Sequence, residues 1–126
     1  MKKILFVNNR AIPSIVPGLL TEAGFIVDLA SDIENGLHLL DTENYDMIIV
    51  VESPYTESWQ LCKIIRHQTT VPLIVISNNA SAETCVQAIN AGADFFLRKP
   101  FGALEFLARV NALLQRSLRK VETSVS

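Results

Sequence analysis

The chain has 126 residues, 49% of them hydrophobic, and this length and composition predict a single domain that buries a core. Its 11 basic and 13 acidic side chains give a net charge of −2, which argues against a surface for nucleic acid or for anionic membranes. The first apolar run, residues 4–7, is too short for a signal peptide or a membrane span, so we expect a cytoplasmic protein.

Short apolar runs alternate with helical patterns along the chain. After the first run, Pro17 should delay or kink a helix, because an interior proline costs about 3 kcal/mol. The runs predicted as strands are residues 4–7, 26–30, 48–51, 73–76 and 94–97. The patterns predicted as later helices are residues 33–42, 59–67, 82–91 and 103 to about 118. We expect the second and fifth strands, whose apolar pattern is weaker, at the edges of the sheet.

Capping and turn residues support the same boundaries. Gly24 and Gly92 stand where a helix ends in a left-handed residue just before a strand. Ser31 or Asp32 precedes the second helix and Ser81 precedes the fourth, where a side-chain oxygen can accept from the first helical amides. This alternation of strand and helix predicts an α/β fold with a parallel sheet.

In a parallel α/β sheet, ligands bind beyond the carboxyl ends of the strands. The residues that follow the predicted strands at this edge are Asn8, Asn9, Arg10, Val51, Glu52, Ser53, Pro54, Ser77, Asn78, Asn79, Arg98, Lys99 and Pro100. No glycine-rich turn follows the first strand, so we expect neither a dinucleotide nor a P-loop nucleotide. We expect no other cofactor either. Cys62, Cys85, His38 and His67 are isolated in helical patterns, and we assign them neither a disulfide nor a metal site.

Residues 91–101, AGADFFLRKPF, place Gly-Ala-Asp before the fifth predicted strand and Lys-Pro-Phe after it. Together with residues 45–51 and 71–77, which are similar to the third and fourth strands of the family, this segment resembles the receiver domain of two-component response regulators. The resemblance covers essentially the whole chain. It implies a flavodoxin-like (βα)5 three-layer sandwich at residues 1–118, with a five-stranded parallel sheet of order 2-1-3-4-5. Residues 119–126 would form a C-terminal tail or linker.

The resemblance also shows which family residues are replaced. Asn8 and Asn9 stand in place of the acidic pair that holds magnesium, and Val51 stands in place of the phospho-accepting aspartate. Magnesium takes anionic oxygen ligands and valine has no nucleophilic oxygen, so we expect neither a metal site nor phosphorylation at Val51. The neighbouring Glu52 could mimic a phosphoryl charge or bind a cation, but an exposed loop carboxylate is the simpler interpretation.

The resemblance implies that four residues of the phosphate-binding pocket are retained, namely Ser77, Phe96, Lys99 and Pro100. In the family, the lysine pairs with phosphoryl oxygens, the hydroxyl moves toward them, an aromatic side chain turns inward, and the proline is cis. We expect Lys99 either to pair with Glu52 or to be solvated. Phe96 should stay packed in one position, because the phosphoryl trigger is absent.

Residues 106–116 resemble the last helix of receivers in winged-helix transcription factors, which implies a homodimer through the fourth helix, fifth strand and fifth helix. Asp94, Glu105 and Arg109 are its candidate ion-pair residues, although an ordinary solvated helix face explains the same charges. An output DNA-binding domain or a sensor protein, absent from this chain, would be a further partner. We expect no direct contact of this domain with nucleic acid or membrane.

Two functions remain open from the sequence. We favour a non-enzymatic, atypical receiver domain that acts in signal transduction and transcription regulation through protein contacts or dimerisation, without aspartate phosphorylation. The alternative is a receiver that accepts phosphate at an unconventional residue such as Glu52. Magnesium-dependent phosphorylation would distinguish the two.

Overall fold

The computed structural model describes residues 1–9, 13–52, 56–78 and 81–125, with side chains described as far as Arg116. Four residues that the sequence places at the carboxyl edge of the sheet lie outside the described residues; they are Arg10, Ser53, Pro54 and Asn79.

Five strands and five helices alternate along the chain. They are β1 (Lys3–Val7), α1 (Val16–Glu22), β2 (Ile26–Ala30), α2 (Ile33–Thr42), β3 (Met47–Val51), α3 (Ser58–Arg66), β4 (Leu73–Ser77), α4 (Ala82–Asn90), β5 (Phe95–Arg98) and α5 (Ala103–Val125). All strand pairs are parallel, and the sheet order is β2-β1-β3-β4-β5. The predicted flavodoxin-like architecture is therefore confirmed, with β2 and β5 at the edges.

The core consists of two apolar clusters, one on each face of the sheet. The first lies under α2, α3 and α4, and includes Val50 of β3, Val75 of β4 and Phe96 of β5. The second lies under α1 and α5, and Val51 packs against it. We call these the α2/α3/α4 face and the α1/α5 face. Because successive side chains of a strand point to opposite faces, every strand contributes to both clusters.

Helix α1 begins late, as expected. It starts at Val16, so Pro17 falls in the first turn, where the missing amide of a proline removes no helical hydrogen bond. The expected caps are present as well. Asp32 accepts from the amide of Asn35 at 2.8 Å, and Ser81 caps α4 in the same way. The expected left-handed turns are confirmed at two glycines, Gly24 with φ +96° and Gly92 with φ +122°.

Helix α5 is longer than predicted. Its expected end near Leu118 is wrong, because the helix continues to Val125. Residues 115–125 contain no glycine or proline and several good helix formers, so no local signal ends the helix there. The division into a domain at residues 1–118 and a linker stays a prediction. Within the described residues, no helix is both long enough and apolar enough to cross a bilayer.

The two cysteines are free thiols, as expected. Cys62 lies fully buried in α3, and this burial raises the pKa of its thiol to about 11. Since the thiolate is the reactive form of cysteine, Cys62 stays an unreactive apolar side chain at neutral pH.

Arg66 joins the end of α3 to the segments that precede β4 and β5. Its guanidinium donates from Nε to the carbonyl of Gly92 at 2.9 Å and from Nη1 to the carbonyl of Val71 at 2.6 Å. Its Nη2 lies 2.9 Å from the carboxylate of Asp94. A Cβ atom at position 92 would lie only 2.6 Å from Arg66 Cγ, so the arginine and the positive φ both require glycine there.

Replacing Arg66→Ala should lower the free energy of unfolding by about 2–4 kcal/mol. The carbonyls of Gly92 and Val71 and the carboxylate of Asp94 would lose their charged donor. Urea unfolding would measure the change. The matched control is Arg116→Ala, which removes an exposed arginine from α5 and should change stability by no more than about 0.5 kcal/mol. Equal losses for the two variants would contradict a special role of Arg66.

Tyr45 belongs to a charged cluster that includes Lys3 at the start of β1 and Asp28 in the middle of β2. It is 7% exposed, and its hydroxyl donates to Asp28 Oδ2 at 2.7 Å. Lys3 Nζ lies 3.4 Å from the same Asp28 oxygen and 3.5 Å from Glu43 Oε2. Burial, together with the hydrogen bond to Asp28, raises the pKa of the Tyr45 hydroxyl above its ordinary value.

This raised pKa predicts a loss of stability in alkali. Above about pH 10 the unfolded chain releases the tyrosine proton while the folded chain retains it, so the free energy of unfolding falls as the pH rises. Tyr45→Phe should be less stable than wild type by about 1 kcal/mol at pH 7, because a hydrogen bond is lost. Its stability should fall less steeply above pH 10, as measured by urea unfolding across that range. Parallel curves for the two proteins would show that Tyr45 does not cause the fall.

Candidate functional site

The carboxyl ends of β1 and β3 open into a depression at the edge where ligands bind in parallel sheets. Its described lining is mainly neutral, and consists of Val7, Asn8, Asn9, Ser31, Asp32, Ile33, Val50, Val51, Thr56 and Leu61. The structure thus brings together both asparagines and the valine that the resemblance assigns to the degenerate pocket.

The asparagine pair follows β1 directly. The backbone amide of Asn8 donates to the carbonyl of Ala30 at 3.0 Å, which continues the pairing of β1 with β2. Asn8 is half-buried and Asn9 is exposed. The one carboxylate among the described lining residues belongs to Asp32, and its Oδ1 caps α2. Two neutral amides and a capping carboxylate do not fit magnesium, which favours several anionic oxygens in octahedral geometry.

Val51 and Glu52 point away from each other at the end of β3. Val51 packs against the α1/α5 face. The backbone amide of Glu52 donates to the carbonyl of Ile76 in β4 at 2.8 Å, and its carboxylate reaches Ser58 of α3, which belongs to the opposite face. The Glu52 side chain therefore does not lie where the Val51 side chain lies, although the two residues are adjacent in the sequence.

The Glu52 carboxylate is bound by two buried serines. Oε2 accepts from the backbone amide of Ser58 at 3.2 Å and from the Ser58 hydroxyl. Oε1 accepts from the Ser77 hydroxyl at 2.8 Å. Ser58 and Ser77 are 0% and 1% exposed. We call Glu52, Ser58 and Ser77 the Glu52 cluster. The interpretation of Glu52 as an exposed loop carboxylate is wrong, because the side chain is half-buried and hydrogen-bonded.

Lys99 does not form an ion pair with Glu52, which was one of the two alternatives that the sequence left open. The ion pairs within 4.0 Å among the described residues do not include Lys99, and the Glu52 oxygens accept from serines instead. The backbone amide of Lys99 donates to the carbonyl of Ser77 at 2.9 Å, so it continues the pairing of β5 with β4. The peptide bond between Lys99 and Pro100 is cis, as the resemblance implies.

Phe96 lies on the same face of the sheet as the Glu52 cluster. It is 6% exposed, pairs in register with Val75 of β4, and packs in the core of the α2/α3/α4 face. Ser77 is two residues beyond Val75 on that strand and points to the same face. The aromatic ring and the serine hydroxyl are thus both directed inward.

The three candidate dimer residues are not joined to one another in the structure. Asp94 is used within the fold, because its Oδ2 accepts from Arg66 at 2.9 Å and from the backbone amide of Leu73 at 2.8 Å. Arg109 lies over the ring of Phe95, with 4.9 Å between its Cζ and the ring centroid. Glu105 is exposed in the first turn of α5.

Sequence reasoning missed two partners of these residues, Ser58 and Arg66. Ser58 is the first residue of α3, and the free amides at a helix start bind carboxylates, so a serine six positions after Glu52 was a usable signal. Arg66 lies 28 residues before Asp94, and no local pattern connects them.

The comparisons with known proteins agree with this architecture. The family model of the response regulator receiver domain matches residues 5–111. The chain belongs to this family. It is 36% identical over 118 residues to the transcriptional regulatory protein CusR of Escherichia coli, covering 92% of this chain and 52% of CusR. It is 35% identical to the protein RcaC of Microchaete diplosiphon, covering 92% of this chain and 18% of RcaC.

Solved structures of response regulators match closely as well. A Francisella response regulator 1452 receiver domain has a TM-score of 0.82 and 32% identity, covering 93% of this chain and 99% of that one. A two-component response regulator from Clostridium difficile has a TM-score of 0.84 and 29% identity, covering 93% and 98%. The chain thus matches nearly the full length of both solved chains, but it spans only about half the length of CusR.

The asparagine pair should make this receiver domain more stable than an acidic pair would. Replacing Asn8→Asp and Asn9→Asp together would place two carboxylates beside Asp32 in one depression. We expect the free energy of unfolding at pH 7 without metal to fall by about 1 kcal/mol, and the loss to shrink with added salt. The control is Asn111→Asp on the exposed surface of α5. An unchanged melting temperature in the double variant would count against this repulsion.

Proposed function

We propose that this receiver domain acts in signal transduction as a regulatory and dimerisation module, independently of aspartate phosphorylation, and that it catalyses no reaction. The observation that carries the proposal is the side chain of Val51, which packs into the α1/α5 face at the position that the resemblance assigns to the phospho-accepting aspartate. An apolar side chain offers no oxygen to attack phosphorus.

The neighbouring residues support the same proposal. Asn8 and Asn9 are neutral, so they provide little of the charge that attracts magnesium to a pocket. Lys99 is the cation that the resemblance assigns to phosphoryl oxygens, and it follows β5 at the same edge. Its retention alone supports anion contact but supplies neither a nucleophile nor a metal.

Phosphorylation of Glu52 is the alternative, and the geometry disfavours it. Both carboxylate oxygens accept hydrogen bonds, one from Ser77 and the other from Ser58, whose side chains are buried. An attack on a phosphodonor would require the carboxylate to leave these donors, which would then be unsatisfied.

The proposed partner is a second copy of the chain, bound through α4, β5 and α5. Val86 and Ile89 expose 57% and 41% of their surface on α4, and Glu105 and Arg109 provide charges on α5.

Because CusR and HprR of Escherichia coli are transcriptional regulatory proteins, we also propose an output DNA-binding domain or a sensor as a further partner. We propose a cytoplasmic location, with no direct contact of this domain with nucleic acid.

An amide NMR titration tests the proposal. Magnesium chloride is added first and beryllofluoride, a phosphoryl mimic, second, while the amides of Asn8, Val51, Ser77 and Lys99 are followed. We expect no saturable shift beyond that caused by sodium chloride of equal ionic strength. Saturable shifts at these four amides would overturn the proposal, because the pocket would then bind the activating ligands.

The matched comparison is the triple variant Asn8→Asp, Asn9→Asp, Val51→Asp. It restores the three carboxylates while it keeps Ser77 and Lys99, so it should gain magnesium-dependent shifts that the wild type lacks. This comparison shows that the titration can detect binding in the same fold.

A further inference from the structure

The Glu52 cluster connects three separate segments at the carboxyl edge of the sheet. Glu52 follows β3, Ser58 opens α3, and Ser77 closes β4. The carboxylate accepts one backbone amide and two hydroxyls, so each of its oxygens has at least one donor. A side chain that joins a strand end, a helix start and a second strand end restricts the relative movement of all three.

The hydroxyl of Ser77 takes part in this cluster as a donor. A serine hydroxyl has a single proton to donate, and Ser77 donates it to Glu52 Oε1. Because Ser77 is 1% exposed, water cannot readily replace the carboxylate as acceptor. The start of α3 contributes further, since the positive end of a helix dipole favours a carboxylate beside its first amide.

The restriction extends from β4 to β5. The carbonyl of Ser77 accepts from the backbone amide of Lys99, so the residue whose hydroxyl is held by Glu52 also closes the pairing of β4 with β5. Phe96 packs on the same face, against the cluster that includes Val75 of β4 and Ala88 of α4. A displacement of Ser77 would therefore disturb the packing of both β5 and α4.

We propose that Glu52 permanently holds Ser77, and with it the surface formed by α4 and β5, in one conformation that needs no phosphoryl group. The inference rests on the proposed phosphorylation-independent function and deepens it. The residue beside the lost acceptor position replaces a reversible signal with a built-in carboxylate that reaches the same hydroxyl from the α3 side. The output of the domain is then constitutive, and it is regulated by the partner that binds the surface formed by α4 and β5.

Relaxation-dispersion NMR on the full chain without any ligand tests this proposal through two single variants. Glu52→Gln removes the charge at nearly constant size, and Ser77→Ala removes the hydroxyl that Glu52 holds. The wild type should show no exchange at the amides of α4 and β5. Each variant should show a second conformer there, populated in the range of about 1–10% that this measurement detects.

The control is Glu83→Gln, which removes an exposed carboxylate from the first turn of α4. It changes the charge of the reporting helix but leaves the Glu52 cluster intact, so its amides should behave as in wild type. The double variant Glu52→Gln, Ser77→Ala should show less exchange than the sum of the two single effects, because both substitutions break the contact between Glu52 and Ser77.

Unchanged dispersion in both single variants would overturn the proposal, and so would equal exchange in Glu83→Gln. If Glu52→Gln does not fold, Ser77→Ala still decides the outcome, because it removes only one buried oxygen. Binding of beryllofluoride by the wild type would refute phosphorylation independence, whereas the dispersion measurement uses no ligand. The two failures are therefore distinguishable.

Discussion

The alternation of side chains along β3 determines what the carboxyl edge of this receiver domain can do. Val51 points into the α1/α5 face and Glu52 reaches the opposite face, although the two residues are adjacent. The Glu52 carboxylate therefore does not take the place of the Val51 side chain. Ser77 and Phe96 lie on the side of the sheet that Glu52 reaches. The Glu52 carboxylate therefore contacts the hydroxyl of Ser77 in β4 and not the ammonium of Lys99.

Two ionic groups of this domain, Glu52 and Arg66, are each held by several donors or acceptors from different segments. Glu52 has its serines, and Arg66 combines two short hydrogen bonds to backbone carbonyls with a contact to Asp94. Such multiply bonded charges restrict geometry more than an isolated surface ion pair does. Asp94 is likewise held by Arg66 and by the backbone amide of Leu73, whereas Val86 and Ile89 expose apolar surface on α4.

Most of the fold could be predicted from the sequence, because its central strands are continuous apolar runs bounded by turn residues. β2 and α2 coincide with the predicted residues, and the other strands begin or end within one residue of expectation. The site was only partly predictable. Its residues follow from strand ends and family motifs, but the direction of Glu52 depends on how α3 packs against β4. The end of α5 was misplaced because a polar composition was interpreted as a linker, although nothing in it breaks a helix.

The continuous backbone of α5 has a geometrical consequence. Its 23 residues span about 34 Å at the rise of an α-helix, and its buried residues Phe106, Val110 and Leu113 fix its orientation on the sheet. A helical linker keeps the relative orientation of the two groups that it joins, whereas a flexible linker does not. Any group attached beyond α5 would have a defined orientation around the helix axis. Inserting one residue into the helix would rotate that group by about 100° around the axis.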